Sequence, residues 1–459
     1  MSSPDASHEL SPRLPTTTRF GRVNRDILGT LHPGRLYFAA LALCLLGIGW
    51  GVWSWTQQVN SGLAVTGLHN PVMWGAYITT FVFWVGIAHS GTLISAILFL
   101  FRARWRAAIS RAAEAMTVFA VMTAGLFPII HLGRPWLFYW LIPYPNQRGL
   151  WVNFRSPLLW DMFAIGTYFT VSVLFFYLGL VPDLAVLRDN STGWKRRIFS
   201  VVSLGWSGST REWKHFNSSY LLMAALATPL VISVHSVVSW DFAVAIVPGW
   251  HSTLFAPYFV AGAIFSGLGM VLTLIIPARK ILHLEEYITS SHLENVAKLI
   301  LFTSLIVTYS YLIEFFFAWY SQNPYEQTVF MSRLVGDYAP LFWLMVVCNC
   351  LVPMLLFIPS ARRNTALLFV ISLLINVGMW TERFVIIAGS LARQYDVTTW
   401  GDYGPSWVEW SILLGSLCWF LFWFLLFIRH LPGIPIAEVK EAMLHGSPAR
   451  NSLTAEGQP

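Results

Sequence analysis

Ten long apolar stretches, separated by short polar connections, divide the sequence. Each stretch supplies the roughly 20 residues that a helix needs to cross the hydrocarbon core of a bilayer. In lipid, a helix satisfies its backbone hydrogen bonds within a single segment. The pattern therefore predicts an all-α polytopic membrane protein with about ten transmembrane helices. The stretches cover approximately residues 36–56, 72–101, 112–132, 157–182, 218–240, 253–277, 296–320, 338–359, 364–387 and 408–428.

The composition agrees with broad contact between the chain and lipid. Of the 459 residues, 56% are hydrophobic and 11% are charged, against roughly 25% charged residues in a soluble domain. The net charge of +7 does not indicate nucleic-acid binding, because the basic residues lie in short segments between apolar runs. The four cysteines also lie inside apolar runs and lack the spacing of an iron–sulfur or zinc site. They are Cys44, Cys348, Cys350 and Cys418.

The distribution of Lys and Arg predicts the orientation, since positive residues are retained on the cytoplasmic side. Most of the 29 basic residues lie in the connections on the N-terminal side of the membrane. Both termini are therefore expected to be cytoplasmic, in a multi-pass protein of the bacterial inner membrane. The exceptions are Arg134, Arg148, Arg155, Arg333 and Arg393 on the outer side, and Arg383 within a span.

The order of spans permits two four-helix bundles of parallel orientation, flanked by the first and last helices. The expected transmembrane domain covers residues 36–430, between a polar cytoplasmic N-terminal arm (1–35) and a cytoplasmic tail (431–459). Within it, the bundles would be 72–240 and 253–387, and the flanking helices 36–56 and 408–428.

Ionisable residues from four separate spans are expected at one depth near the outer face: His131, Asp161, Asp241 and Arg383. His235 and Glu382 are placed with them. Each such group costs roughly 2.5 to 3.5 kcal/mol on insertion scales, so the cluster needs a compensating reason. One reason is structural, an ion pair between Arg383 and Asp161 or Asp241. The functional alternative is a site for a redox lipid.

A quinol needs a hydrogen-bond partner at each ring oxygen, a proton acceptor and an apolar slot. A neutral His131 would accept one hydroxyl proton, and Asp161 would orient and stabilise the imidazolium. Arg383 would keep a carboxylate ionised, and Asp241 would pass protons to water on the outer side. His131 and Asp161 are thus the expected catalytic pair, and all four residues would bind quinone.

Deeper polar residues suggest a proton route through His89, His235 and Glu314, although His89 in such a position is more often a hydrogen-bonded packing residue. The histidine positions predict no haem pair, and no metal ligand set is expected in this chain. Electrons from quinol would therefore pass directly to a partner protein docked on the outer face. The chain is expected to be one subunit of a larger enzyme.

Four segments carry a resemblance to a known family. The sequence is similar to the NrfD/PsrC-type quinone-interacting membrane subunits over nearly all of residues 36–430, and within them to the ActC component of alternative complex III. The segments are residues 153–161 (NFRSPLLWD), 205–210 (GWSGST), 233–243 (SVHSVVSWDFA) and 246–251 (IVPGWH).

The resemblance implies oxidation of menaquinol or ubiquinol near the periplasmic surface, with protons released there. Electrons would pass to an iron–sulfur partner and then through multihaem cytochrome c subunits to cytochrome c. A second NrfD-like subunit and a terminal oxidase are further expected partners, and this chain would carry neither haem nor an iron–sulfur cluster. The family's site maps to His131, Asp161, Asp241 and Arg383.

Three alternatives remain open on the sequence. A quinone-binding anchor of a molybdenum reductase, of the polysulfide or dimethyl sulfoxide type, would share the bundle. A secondary transporter would also have about ten spans, but would place its charges near the midplane. A purely structural scaffold would perform no quinol chemistry.

Overall fold

The computed structural model describes residues 16–31, 34–142 and 154–445. Within these ranges every regular element is a helix, and ten helices are long and apolar enough to span a membrane. The predicted all-α fold with ten spans is confirmed. In chain order they are α1 (Arg35–Ser61), α2 (Ala76–Leu100), α3 (Ser110–His131), α4 (Pro157–Asp189), α5 (Thr210–Ala243), α6 (Phe255–Ile281), α7 (Ser290–Ser321), α8 (Ala339–Phe357), α9 (Thr365–Leu391) and α10 (Trp407–His430).

Several spans extend beyond the apolar stretches that predict them. The helix α5 begins at Thr210, well before residue 218. Ser209 caps it, because its hydroxyl accepts the Glu212 backbone N–H at 3.3 Å while its own N–H donates to the Glu212 carboxylate at 2.9 Å. This capping box satisfies backbone groups that the helix itself leaves free. Hydropathy thus reports the part of a helix in hydrocarbon, and capping decides where the helix begins.

The spans pack in two sets of four. In the first set α2, α3, α4 and α5 contact each other in sequence and α5 returns to α2, while in the second set α6, α7, α8 and α9 do the same. The helices α2 and α6 pack against each other at the join. Outside the first set, α1 packs along α10, where a Cβ atom on Gly51 would lie 2.8 Å from the Gly415 Cα atom. Close helix packing of this kind is typical of small residues in membranes.

Gly91 lets α2 and α3 approach closely. A Cβ atom there would lie 1.9 Å from the Thr117 hydroxyl oxygen and 2.2 Å from the Ala113 carbonyl oxygen. We expect Gly91→Ala to lower the free energy of unfolding by about 1 to 3 kcal/mol, the usual cost of overpacking a core. Gly166→Ala in α4 is the matched control, because a Cβ atom there meets nothing within 4 Å. Thermal unfolding in one detergent compares them, and equal melting temperatures would contradict the prediction.

Both ends of the described chain lie on one face. The terminal helices Thr16–Gly29 and Ile436–His445 contact each other. The second is held to the 3₁₀ helix Arg104–Ala108, which precedes α3, by an ion pair between Arg106 and Glu438 at 3.1 Å. It is held to α4 by the Ala437 N–H, which donates to the Asp183 carboxylate at 3.3 Å. The predicted cytoplasmic orientation of this face stays a prediction.

Candidate functional site

One buried carboxyl group lies at the end of α4 that is opposite the face of the terminal helices; the helix ends on this side are called the outer ends. Ser156 is the N-cap residue in an extended conformation, and Pro157 occupies the first helical turn, where its fixed φ favours the helix. The Trp160 indole donates to the Phe154 carbonyl oxygen at 2.7 Å and ties the first turn to the preceding segment. Asp161 follows one turn into the helix and is only 5% exposed. Asn153, the first residue of this sequence motif, lies outside the described residues.

The outer end of α5 brings a second carboxyl group to the first. The Asp161 and Asp241 carboxyl groups lie within hydrogen-bonding reach of each other, and one oxygen of each has no partner among the described residues. Two carboxyl groups can hydrogen-bond only if one of them is protonated. The adjacent Trp160 and Trp240 rings meet edge to face at 6.1 Å. The site is therefore a buried carboxyl pair that can share one proton, with a tryptophan immediately before each carboxyl in the sequence.

His131 ends α3 on the same side of the membrane. A break at Gly125 precedes its short helix Leu126–His131, and Gln58 anchors that helix by donating to the Ile130 carbonyl oxygen at 2.7 Å. The Nδ1 atom of His131 is buried and has no hydrogen-bond partner in the described part of the chain. No ion pair or hydrogen bond joins His131 to Asp161 or Asp241 there. His131 thus shares the outer side with the carboxyl pair and keeps a free ring nitrogen.

Arg383 lies deeper than expected. It is eight residues from the end of α9 at Leu391, or about 12 Å along the helix, because α9 continues beyond the apolar stretch. Its guanidinium donates to Glu382 at 2.5 Å and lies 4.3 Å from the Phe259 ring centroid. The expected ion pair with Asp161 or Asp241 is absent from the described residues. The prediction that these ionisable groups share one depth is therefore wrong for Arg383 and Glu382.

A polar network surrounds this buried ion pair. The Tyr311 hydroxyl donates to the Glu382 carboxylate, and the Asn349 amide donates to the Tyr311 hydroxyl at 2.9 Å. Asn349 lies in a π-helical segment of α8, Val347–Leu351, a distortion often found at functional positions. Gly378 makes room for it, since a Cβ atom there would lie 2.2 Å from the Asn349 amide oxygen. Tyr311 could not be predicted from the sequence, because a lone tyrosine in an apolar span belongs to no recognisable motif.

His89 and His235 meet in the interior. Their ring centroids are 4.6 Å apart, and Tyr168 stacks on His89 at 5.0 Å. The His89 Nδ1 atom donates to the Val85 carbonyl oxygen at 2.6 Å. Its Nε2 atom and both ring nitrogens of His235 have no partner among the described side chains and backbone. His235 lies eight residues inside the end of α5, so it belongs to this deep pair.

Glu314 does not take part in the histidine contact. Its side chain is 7% exposed and lines a separate cavity between the outer ends of α5 and α7. Arg383 lies within electrostatic range of both Glu314 and His235.

A repeated dipeptide in the sequence marks the carboxyl pair, although it did not enter the prediction of the site. Trp-Asp occurs at residues 160–161 and again at 240–241, at the outer ends of two antiparallel neighbours. This repetition marks the pair that the structure brings together. The resulting site can donate and accept protons beside aromatic rings, and it lies at one membrane interface.

Fold and site together define a multi-pass membrane protein with a buried carboxyl pair near one end of its spans. Residues 64–393 match the family model described as Polysulphide reductase, NrfD. The chain belongs to this family, and the family-level resemblance drawn from the sequence is confirmed.

Three curated relatives cover most of the chain. It is 29% identical to a putative dimethyl sulfoxide reductase membrane subunit of Halobacterium salinarum, over 82% of this chain and 80% of that protein. It is 21% identical to a selenate reductase subunit of Mesobacillus selenatarsenatis, over 83% and 90% of the two chains. An Hdr-like menaquinol oxidoreductase integral membrane subunit of Archaeoglobus fulgidus is 20% identical over 89% and 96%.

Proposed function

We propose that this chain is the quinol-oxidising membrane subunit of a multi-subunit respiratory oxidoreductase. The observation that carries the proposal is the buried Asp161 and Asp241 carboxyl pair, which can share a proton and is adjacent in sequence to the contacting Trp160 and Trp240. Oxidation of a quinol to a quinone releases two protons and two electrons. A site for it needs proton acceptors next to an apolar wall that receives the ring.

The roles proposed for the site residues follow from their positions. The ionised member of the carboxyl pair accepts one hydroxyl proton, and the unpartnered Nδ1 atom of His131 is the acceptor proposed for the other. Both groups lie at outer helix ends, so the protons leave outward. Arg383 is engaged by Glu382 and Phe259, and we assign it to positioning the adjacent helices instead of the expected contact with quinone.

The two electrons pass to an iron–sulfur partner on the outer face. Large aromatic side chains next to the site are exposed there, including Trp136 at 58% and Phe154 at 61%. Exposed apolar groups clustered beside a site are typical of an interaction surface. We propose this surface as the docking face, in a complex of the cytoplasmic membrane.

The relatives favour a reductase anchor as the finer assignment. Two of the three are named as components of dimethyl sulfoxide and selenate reductases, and the third as part of a menaquinol oxidoreductase. This supports the molybdenum-reductase alternative over alternative complex III, whose multihaem cytochromes, cytochrome c acceptor and second NrfD-like subunit rest on the four sequence segments alone. Membership of the family also argues against a secondary transporter.

Purification of the intact complex tests both the proposed quinol oxidation and the finer assignment to a reductase anchor. We expect a quinol with a short, water-soluble tail to reduce the partner's iron–sulfur clusters, and electron paramagnetic resonance measures that reduction. Molybdenum in the metal analysis would identify a reductase anchor, whereas a haem c absorption band would favour alternative complex III. Clusters that stay oxidised with every quinol tested would contradict quinol oxidation itself.

The contact between His89 and His235 favours a second role, transfer of protons through the first bundle. Three unpartnered ring nitrogens lie in this pair, and neutral imidazoles can both accept and donate protons. We expect His235→Phe to lower the number of protons released per electron, measured with a pH dye in vesicles, while quinol oxidation continues. An unchanged ratio would assign both histidines to packing.

A further inference from the structure

We propose that a cavity between the first and second bundles binds an additional quinone-class lipid, beside the carboxyl pair. The cavity has a volume of about 570 Å³ and lies between the outer ends of α5 and α7, beside the first turn of α6. That volume is within the usual range of small-molecule sites. The choice of a quinone as ligand rests on the proposed function, whereas the cavity itself does not.

A buried and unsatisfied carboxyl group faces this cavity. Glu314 lines it with only 7% of its surface exposed, and its Oε1 atom has no hydrogen-bond partner in the described part of the chain. A buried polar atom without a partner costs roughly 1 to 3 kcal/mol. A ligand that hydrogen-bonds to this group would recover that energy.

The walls of the cavity suit an aromatic ring and an apolar tail. Trp240, Phe317, Ala318 and Phe330 line it. Phe317 and Trp240 are 44% and 38% exposed, so the apolar lining continues to the lipid-facing surface of the bundle. A membrane-dissolved ligand can therefore enter sideways at the outer interface.

The charges that line the cavity disfavour a phosphate group. Glu314, Glu326 and His251 line it together with Tyr320, and the described lining contains no Lys or Arg. The nearest cation is the buried Arg333, which lies behind the lining within electrostatic range of both glutamates. Burial raises the pKa of Glu326 above its ordinary value, although the Gly249 N–H donates to this carboxyl at 2.8 Å. Acidic groups repel an anionic lipid head, whereas a neutral quinone or quinol offers acceptors and donors to them.

The cavity and the carboxyl pair share the last turn of α5. Trp240 lines the cavity, and the next residue, Asp241, belongs to the pair. A quinone in the cavity would therefore contact Trp240, the residue next to the proposed oxidation site, from the side where α5 meets α7.

Photolabelling of the complex in lipid nanodiscs tests the inference. An azidoquinone with a short isoprenoid tail is irradiated, and the labelled peptides are identified by mass spectrometry. We expect label in two places, near Asp161 in α4 and in the segment 314–330. Glu314→Gln and the cavity-filling Ala318→Phe should each lose label in 314–330 and retain it in α4.

Matched variants distinguish loss of quinone binding from a folding defect. Leu312→Phe places the same phenyl ring on the exposed side of α7, where Leu312 is 66% exposed and does not line the cavity, and it should keep both labels. Ser321→Trp at the exposed rim provides a second block if Ala318→Phe does not fold.

The outcomes separate this inference from the proposed function. Label near Asp161 alone, or label in 314–330 that survives both blocking variants, would overturn the second site and leave the first. Loss of label in 314–330 on adding phospholipid, with no effect of excess unlabelled quinone, would assign the cavity to a lipid head and also overturn the inference. Absence of label at both places would count against the proposed function as well.

Discussion

Asp161→Asn is expected to reduce quinol oxidation by about 10² to 10⁴ fold, the usual contribution of a positioned acid or base. The asparagine amide can still donate to Asp241, so the shape of the pair is retained. An amide cannot accept the proton that the carboxylate takes from the quinol. Its N–H group would also stabilise the carboxylate form of Asp241, which makes Asp241 a weaker proton acceptor. The measurement is the rate of cluster reduction by quinol in the purified complex, with the polypeptide composition determined on the same sample.

Because the two carboxyl groups are proposed to share a proton, the losses of quinol-oxidation rate caused by substituting each one should not add. Asp241→Asn is expected to resemble Asp161→Asn, and the double variant should be little worse than either, as for catalytic groups that act as a unit. Asp402→Asn is the matched control, since this aspartate is 55% exposed and pairs with Arg393 at 2.7 Å. Full activity in Asp161→Asn with normal assembly would rule out the carboxyl pair as the proton acceptor.

Arg383→Leu is expected to destabilise the fold by about 3 to 5 kcal/mol, the cost of leaving one partner of a buried ion pair without the other. Glu382 is 0% exposed and Arg383 is 2% exposed, so water cannot replace the lost guanidinium. A Cβ atom on Gly262 in α6 would lie 3.0 Å from the Arg383 Nη2 atom, which shows how closely the backbone surrounds the pair. Thermal or denaturant unfolding of the protein in detergent measures the loss.

Removing both charges should recover part of this stability, because Glu382→Gln with Arg383→Leu leaves no isolated ion. Arg393→Leu provides a control at the outer surface. The Arg393 side chain is 10% exposed, but its acidic partners Asp337 and Asp402 are 64% and 55% exposed. Water can therefore solvate the carboxylates that Arg393→Leu leaves behind, and the loss of stability should be smaller, near the roughly 1 kcal/mol of exposed pairs. A melting temperature for Arg383→Leu equal to that of Arg393→Leu would contradict a structural role for the buried pair.

The Trp-Asp repeat shows how much of the site was accessible to prediction. The outer positions of His131, Asp161 and Asp241 follow from counting helix rise from each boundary. The position of Arg383 does not, since α9 continues to Leu391 and the depth of a residue depends on where its helix ends. The contact between His89 and His235 was also beyond prediction, because it requires the relative rotation of α2 and α5.

Ten spans, an all-helical fold and the kinds of ionisable residue that the membrane must accommodate are all readable from the sequence. Transfer into lipid depends on the composition of each stretch of about 20 residues, so local sequence is sufficient for it. Helix packing was needed to establish that Asp161 pairs with Asp241, that Arg383 pairs with Glu382, and that Glu314 faces a cavity. Those outcomes depend on helix rotation and on close approach at glycines such as Gly262 and Gly378, which are properties of several helices packed together.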